Sequence, residues 1–108
     1  MSTRSFNYRC VDCGAPNSNG HPMTQRCKPC AANFYEHLTR ANRAVQREIA
    51  HGRMQKAAAL TCVDCGGQAR DWDHRDYSKP LQVEPVCRAC NFKRGPALYP
   101  KLTEQAAA

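Results

Sequence analysis

Eight cysteines constrain this chain more than any other feature of its 108 residues. They fall into four Cys-x-x-Cys pairs with none left over: Cys10/Cys13, Cys27/Cys30, Cys62/Cys65 and Cys87/Cys90. A two-residue spacing lets both sulfurs of one turn face the same tetrahedral ion at about 2.3 Å. The sequence therefore predicts zinc sites, in preference to a disulfide framework or redox-active pairs.

Four pairs make two sites, and joining neighbouring pairs closes the shorter loops. Each half opens with the same residues, CVDCG, at Cys10 and again at Cys62. Short loops cost less closure entropy than pairs interleaved across the whole chain, which is the alternative. The sequence thus predicts one site from the first two pairs and a second from the last two. Four thiolates leave no coordination position for a substrate, so both sites are expected to be structural.

The chain is small and basic, with 16 Lys and Arg against 9 Asp and Glu and a formal charge of +7. Eight thiolates would add −8 and two zinc ions +4, which leaves +3. A chain of this length with 7% aromatic residues builds a thin apolar core, so zinc is expected to stabilise the fold. No apolar run approaches the about 18 residues of a membrane span, and the first residues do not resemble a signal peptide. These features predict a cytoplasmic protein that does not bind membranes.

Residues 31–60 have the pattern of an amphipathic helix between the two cysteine units. Apolar residues recur at intervals of three and four and form one stripe: Phe34, Leu38, Ala41, Val45 and Ile49. At 3.6 residues per turn the opposite face carries Arg40, Arg43, Arg47 and His51. This basic face is either a phosphate-binding surface or an ordinary solvated face. Gly52 is expected to end or bend the helix, and a second short helix is expected after it, over 53–59.

The predicted organisation has four parts. Residues 1–30 form an N-terminal zinc ribbon, 31–60 a helical linker, 61–100 a second zinc unit and 101–108 a flexible tail. In the second unit, 69–74 and 82–86 have strand character, and 87–94 is a short helix stopped by Gly95 and Pro96. The residues before Cys10 are expected to be mobile, and His21 is expected to be a loop residue rather than a zinc ligand.

Three polar residues of the second unit are candidates for chemistry. His74 can act as a base near neutral pH, while Asp73 and Asn91 offer oxygen ligands suited to magnesium or manganese. Neighbouring strand residues face opposite sides, so Asp73 and His74 share a site only if the strand ends or bends there. The alternative is that both residues cap the zinc knuckle through hydrogen bonds.

The segments WDHRDY and VCRACNFKRG resemble the ββα-metal, or His-Me finger, nucleases, a group that includes the HNH nucleases and the endonuclease VII-like resolvases. In those resolvases an Asp-His pair lies inside a four-cysteine zinc site, and an Asn directly follows the last cysteine. Small phage HNH proteins also resemble this chain in the segment DYSKPL, and some carry a ribbon similar to residues 10–30. The resemblance is good over 62–95 and loose over 10–30. The fold expected for the chain is therefore a small zinc-stabilised α+β fold, in which an amphipathic helix joins two four-cysteine zinc knuckle units and the second is a ββα-metal unit.

The resemblance implies a metal-dependent DNA endonuclease, phage-borne and active in the host cytoplasm. His74 would be the general base that activates water, and Asp73 and Asn91 would hold one magnesium or manganese ion against the scissile phosphate. The cations expected to contact DNA are Arg75, Lys93 and Arg94 beside the site and Arg40, Arg43 and Arg47 on the helix. DNA is the expected partner, of a monomer or a homodimer.

Two other functions stay open at this point. Gln82 stands where the HNH motif has its middle Asn, and Asn91 stands where it has its final His. Both differences favour a non-catalytic zinc module with a decayed nuclease fold that binds nucleic acid or a host protein. A third possibility is a protein-binding zinc adaptor that uses the apolar stripe of the helix as its interface.

Overall fold

The computed structural model describes residues 9–16 and 25–103. The elements in these residues are α1 (Lys28–Ala50), a 3₁₀ turn (Ala57–Ala59), β1 (Asp71–His74), β2 (Val83–Val86) and α2 (Arg88–Arg94). The chain divides into two compact units: a first unit of residues 1–36 with 100–108, and a second unit of residues 37–99. Of the residues predicted to be mobile, 1–8 lie outside the described residues, as do His21 and the end of the predicted tail, whereas Arg9 pairs with Pro16.

Helix α1 differs from the predicted helix at both ends. It begins at Lys28 because the Cys27 carbonyl already accepts the Ala31 amide at 2.8 Å, which places Cys30 in the first turn. It ends at Ala50, not near residue 60, because Gly52 adopts a φ of 74°. There the Gly52 and Arg53 amides donate to carbonyls three and five residues back, the pattern of a Schellman cap. Of the two roles expected for Gly52, ending the helix is the one confirmed.

The apolar stripe of α1 is confirmed, and its centre is buried inside the protein. Ala41 is fully buried and Val45 is 2% exposed, while Arg43 and Arg47 on the opposite face are exposed. Phe34, Leu38 and Ile49, nearer the two ends of the stripe, are half-buried. The protein-binding adaptor would have only these ends as an interface, and it stays a prediction.

Strands β1 and β2 form an antiparallel hairpin that carries the candidate site. Its register pairs Asp71 with Val86 and His74 with Val83. Val86 is fully buried against Cys62 and Cys90, so the apolar cluster of this unit contains two of its cysteines. The expected second short helix is reduced to the 3₁₀ turn. The Trp72 indole donates to the carbonyl of Gln55, two residues before that turn, at 3.0 Å.

Helix α2 agrees with the predicted helix over 87–94. Cys87 is its N-cap and accepts the Cys90 amide through sulfur at 3.4 Å, and Gly95 ends it with a φ of 75°. After α2 the chain returns beside β1, where Leu98 pairs in parallel with Asp76. Among the described residues, no helix has the length and hydropathy needed to cross a bilayer.

Candidate metal centres and the adjoining polar cluster

The first four-cysteine cluster joins a turn to the start of α1. The turn over Cys10–Cys13 is closed by the Gly14 amide, which donates to the Cys10 carbonyl at 2.9 Å, and Gly14 has a φ of 76°. The other two cysteines, Cys27 and Cys30, lie at the beginning of the helix. The sulfurs of Cys13 and Cys27 are 3.8 Å apart, and all four lie within 4.8 Å of one another.

The second cluster repeats this design. Gly66, with a φ of 80°, donates to the Cys62 carbonyl at 2.9 Å, as Gly14 does in the first half. An isolated antiparallel bridge flanks each turn at the same offset, Arg9 with Pro16 and Thr61 with Gln68. The second pair again lies where a helix begins, and its sulfurs come within 4.8 Å of those of the first pair. The repeated CVDCG is thus a structural repeat as well as a sequence repeat.

Both clusters fit a zinc ion. Sulfurs about 2.3 Å from a central zinc form a tetrahedron with edges of about 3.8 Å. The Cys13–Cys27 and Cys65–Cys87 sulfur pairs are each 3.8 Å apart, and all eight cysteines are free thiols. The local pairing of the four Cys-x-x-Cys motifs is therefore confirmed. Two groups of four cysteines can hold two structural zinc ions and leave no position open for a substrate.

The thiol pKa values separate strongly within each cluster. Burial raises the pKa of Cys62, but hydrogen bonds from the Cys87, Cys65 and Asp64 amides outweigh burial and lower it to about 6. The neighbouring thiols, first that of Cys87, together with burial raise the pKa of Cys90 to about 12. Cys10 and Cys30 separate in the same directions in the first cluster. Four sulfurs this close cannot all ionise by themselves, so a cation is required to hold four thiolates.

An arginine-centred acidic cluster lies beside the second zinc site. The Arg94 guanidinium binds Asp64 through two bonds of 2.7 Å, and it also binds Asp73 and Glu84 at 2.9 Å. Arg75 binds the same Asp73 carboxylate at 2.7 Å and donates to the carbonyls of Arg94 and Gly95. Asp73 is 6% exposed, so both guanidinium groups neutralise a buried carboxylate. These carboxylates, those of Asp64 and Asp73 foremost, raise the pKa of Arg94 further above its usual value.

His74 faces away from this cluster. Its Nε2 lies 2.9 Å from the Pro80 carbonyl, which can only accept, so Nε2 carries a proton and the neutral ring has its lone pair on Nδ1. The ring packs edge-on against Tyr77 and is 5% exposed. Together with Trp72, the other residue on its side of β1, His74 lines a cleft of about 390 Å³ beside α1. Strand β1 ends at His74, but Asp73 binds Arg75 and Arg94 whereas His74 contacts the Pro80 carbonyl, so the two residues face opposite sides.

Asn91 has a different acidic partner from the expected one. Its side-chain amide donates to the Asp71 carboxylate at 3.3 Å, while Asp73 is held by Arg75 and Arg94. The three residues expected to form one catalytic site, Asp73, His74 and Asn91, therefore lie in three different environments. As the side chains stand, Asp73 and Asn91 do not fit a catalytic magnesium or manganese ion, because guanidinium groups occupy the carboxylate that would bind it.

The six cations expected to contact DNA divide into two groups. Arg40, Arg43 and Arg47 are exposed on α1, and Lys93 is exposed on α2. Arg75 and Arg94 are instead engaged with carboxylates inside the second unit.

Sequence reasoning missed Asp64, Asp71 and Glu84. The repeat contained a signal for the first, because CVDC places an aspartate at the same point in both halves. Asp12 pairs with Arg26 at 3.0 Å just as Asp64 pairs with Arg94. The signal for Asp71 was the alternation of side-chain direction along the segment DWDH, which places Asp71 on the same side of β1 as Asp73.

Comparisons with protein-family models, with curated proteins and with solved structures find no match to this chain.

Proposed function

We propose that this protein is a zinc-stabilised, non-catalytic module that binds nucleic acid. The observation that carries the proposal is how charge is distributed in the second unit. Every carboxylate there has a polar partner inside the unit, and none is left to face solvent alone. The pairs are Glu48 with Arg53, Asp64, Asp73 and Glu84 with Arg94, Asp71 with Asn91, and Asp76 with Ser78.

The exposed cations of the same unit are not compensated in this way. Seven exposed Lys and Arg residues of the unit form no ion pair among the described residues: Arg43, Arg47, Lys56, Arg70, Lys79, Arg88 and Lys93. The carboxylates are held by partners inside the unit while these cations face solvent, and a surface of this kind attracts polyphosphate chains.

The arginine-centred cluster supports a non-catalytic role. Asp73 is the residue that a catalytic ion would need first, and two arginines hold its carboxylate at 2.7 and 2.9 Å. Removing a partner from a buried ion pair costs about 3–5 kcal/mol, so an incoming ion would have to overcome a bound and buried arrangement.

Salt-dependent DNA binding tests the proposal. In zinc-loaded protein, changing Arg43, Arg47, Arg70 and Arg88 to Gln should weaken binding to a short duplex. Each lost phosphate contact should also reduce the slope of log affinity against log salt by about 0.9. The matched control is Glu48→Gln with Arg53→Gln, which removes a compensated pair and leaves the net charge unchanged. No binding at low salt, or an unchanged slope in the four-fold variant, would refute the proposal.

A metal-dependent endonuclease is the second candidate, and the orientation of His74 favours it. The hydrogen bond to the Pro80 carbonyl uses Nε2, so Nδ1 is the ring nitrogen that would act as the general base. His74 also lines a cleft with two cations, Lys56 and Arg70.

Plasmid nicking by zinc-loaded protein in magnesium or manganese separates the two candidates. His74→Gln keeps a side-chain N–H for the Pro80 carbonyl but has no basic nitrogen. If the wild type nicks DNA and this variant loses about 10²- to 10⁴-fold in rate with its zinc content intact, the endonuclease is established. If the wild type binds DNA and never nicks it, the non-catalytic module stands.

A further inference from the structure

Phe92 is the most exposed large apolar residue among those described, at 88%. It lies on α2 at an open groove of about 530 Å³, which we call the Phe92 groove. The lining residues are Asp71, Arg88, Asn91, Phe92, Gly95 and Pro96. We infer that the Phe92 groove binds an unpaired nucleobase of single-stranded DNA, stacked on the Phe92 ring. This inference rests on the proposed nucleic-acid binding and names the kind of strand that is bound.

The ring is not needed for the core. The apolar cluster of this unit is built from Cys62, Val86 and Cys90, and Phe92 contributes nothing to it. An exposed aromatic face beside cations is the arrangement that single-strand-binding proteins use, because every base has a face that can stack.

Asp71 determines which part of a nucleotide the groove accepts. Its carboxylate lines the groove and is oriented by the Asn91 amide at 3.3 Å. A carboxylate repels a phosphate but accepts hydrogen bonds from an amino group on a base edge. Adenine, cytosine and guanine carry an exocyclic amino group and thymine does not. The groove should therefore prefer one of those three bases to thymine.

Arg88 connects this groove to a path for the backbone. It lines the Phe92 groove and also a neighbouring groove of about 450 Å³ that contains Arg70 and Gln68. Neither arginine has an acidic partner among the described residues. A strand whose base stacks on Phe92 would thus have two guanidinium groups available for the adjacent phosphates.

Binding of labelled oligonucleotides to zinc-loaded protein, without magnesium or manganese, tests the inference. The ligands are a twelve-residue thymidine strand, the same strand with one central deoxycytidine, and a duplex of equal length. Phe92→Ala should weaken single-strand binding by about 5- to 100-fold, and Phe92→Tyr should restore it. Leu81→Ala, at another exposed apolar residue of the unit, is the matched control, and zinc content checks that each variant is folded.

Each outcome has a definite meaning. A loss with Phe92→Ala that is confined to the single strands, together with tighter binding of the deoxycytidine strand, supports the inference. Equal binding of both single strands overturns the role of Asp71, as does a deoxycytidine preference that survives Asp71→Asn. If DNA binds but Phe92→Ala changes nothing, the groove serves another occupant and the inference fails while the proposed function stands. If none of the ligands binds, the proposed function fails first.

Discussion

Replacing Cys90 by Ser should weaken zinc binding at the second site and destabilise residues 37–99, while the first site keeps its full affinity. Each compact unit contains one complete four-cysteine cluster, so the two sites do not share ligands. Cys90 is 9% exposed and belongs to the apolar cluster of its unit, so Ser would replace a zinc ligand and also place a hydroxyl in the core. The expected variant binds its second zinc ion more weakly than its first.

The size of the effect of Cys90→Ser follows from how little besides zinc stabilises this unit. Its buried apolar side chains larger than cysteine are Val45, Val86 and Tyr99. Together they contribute about 5–9 kcal/mol, against about 10–16 kcal/mol for a structural zinc site. Losing one ligand of four removes about a quarter of the zinc term, or about 3–4 kcal/mol. Zinc affinity should then fall on the order of a few hundred-fold.

Competition with a chromophoric chelator measures this change, with circular dichroism to follow folding. Cys30→Ser is the reciprocal variant in the first unit, and Val63→Ala is the control, since Val63 is 52% exposed on the same turn as Cys62. The reasoning is refuted if Cys90→Ser weakens zinc binding at both sites or at neither, or if residues 37–99 stay folded after their zinc has been removed.

Three smaller perturbations test other parts of the fold. Hydrogen bonds from the Ser78 hydroxyl and amide lower the pKa of Asp76, so the stabilisation they provide is complete above the ordinary aspartate pKa and is lost as pH falls through the lowered value. Ser78→Ala should raise this pKa towards its ordinary value in an NMR titration of the carboxyl group. Gly52→Ala should destabilise by about 1–2 kcal/mol in a denaturant titration, because φ is 74° although no atom lies within 4 Å of the added carbon. Asn33→Ala should cost about 1 kcal/mol in the same assay through its lost hydrogen bond to the Pro100 carbonyl, and no change in midpoint would contradict this.

The parts of the fold that sequence predicts well are those governed by local chemistry. Cys-x-x-Cys spacing predicts both clusters because two sulfurs of one turn reach one ion, whatever the rest of the chain does. The Gly95-Pro96 stop and the burial of Ala41 and Val45 also follow from short-range patterns. The end of α1 does not follow from the sequence in the same way, because periodicity alone does not show whether a glycine bends a helix or caps it.

The candidate site was harder to predict because its partners are far apart in sequence. Arg94 meets Asp64 across 30 residues and Asp73 across 21. Nothing near Arg94 in the sequence distinguishes a buried ion-pair partner from a phosphate ligand. A motif gives residue types and spacing. The protonation of those residues, their ion pairs and the direction of their side chains depend on the residues that the fold places beside them.

The hydrogen bond between Asn33 and Pro100 joins residues 67 positions apart, and both belong to the first unit. That unit is therefore assembled from both ends of the described chain, with the whole of residues 37–99 between its parts. As the ribosome synthesises the chain, the second unit has all of its residues before Pro100 is added. A chain truncated before Pro100 would keep all eight cysteines and every residue of the second unit, but its first unit would lack the contact between Asn33 and Pro100.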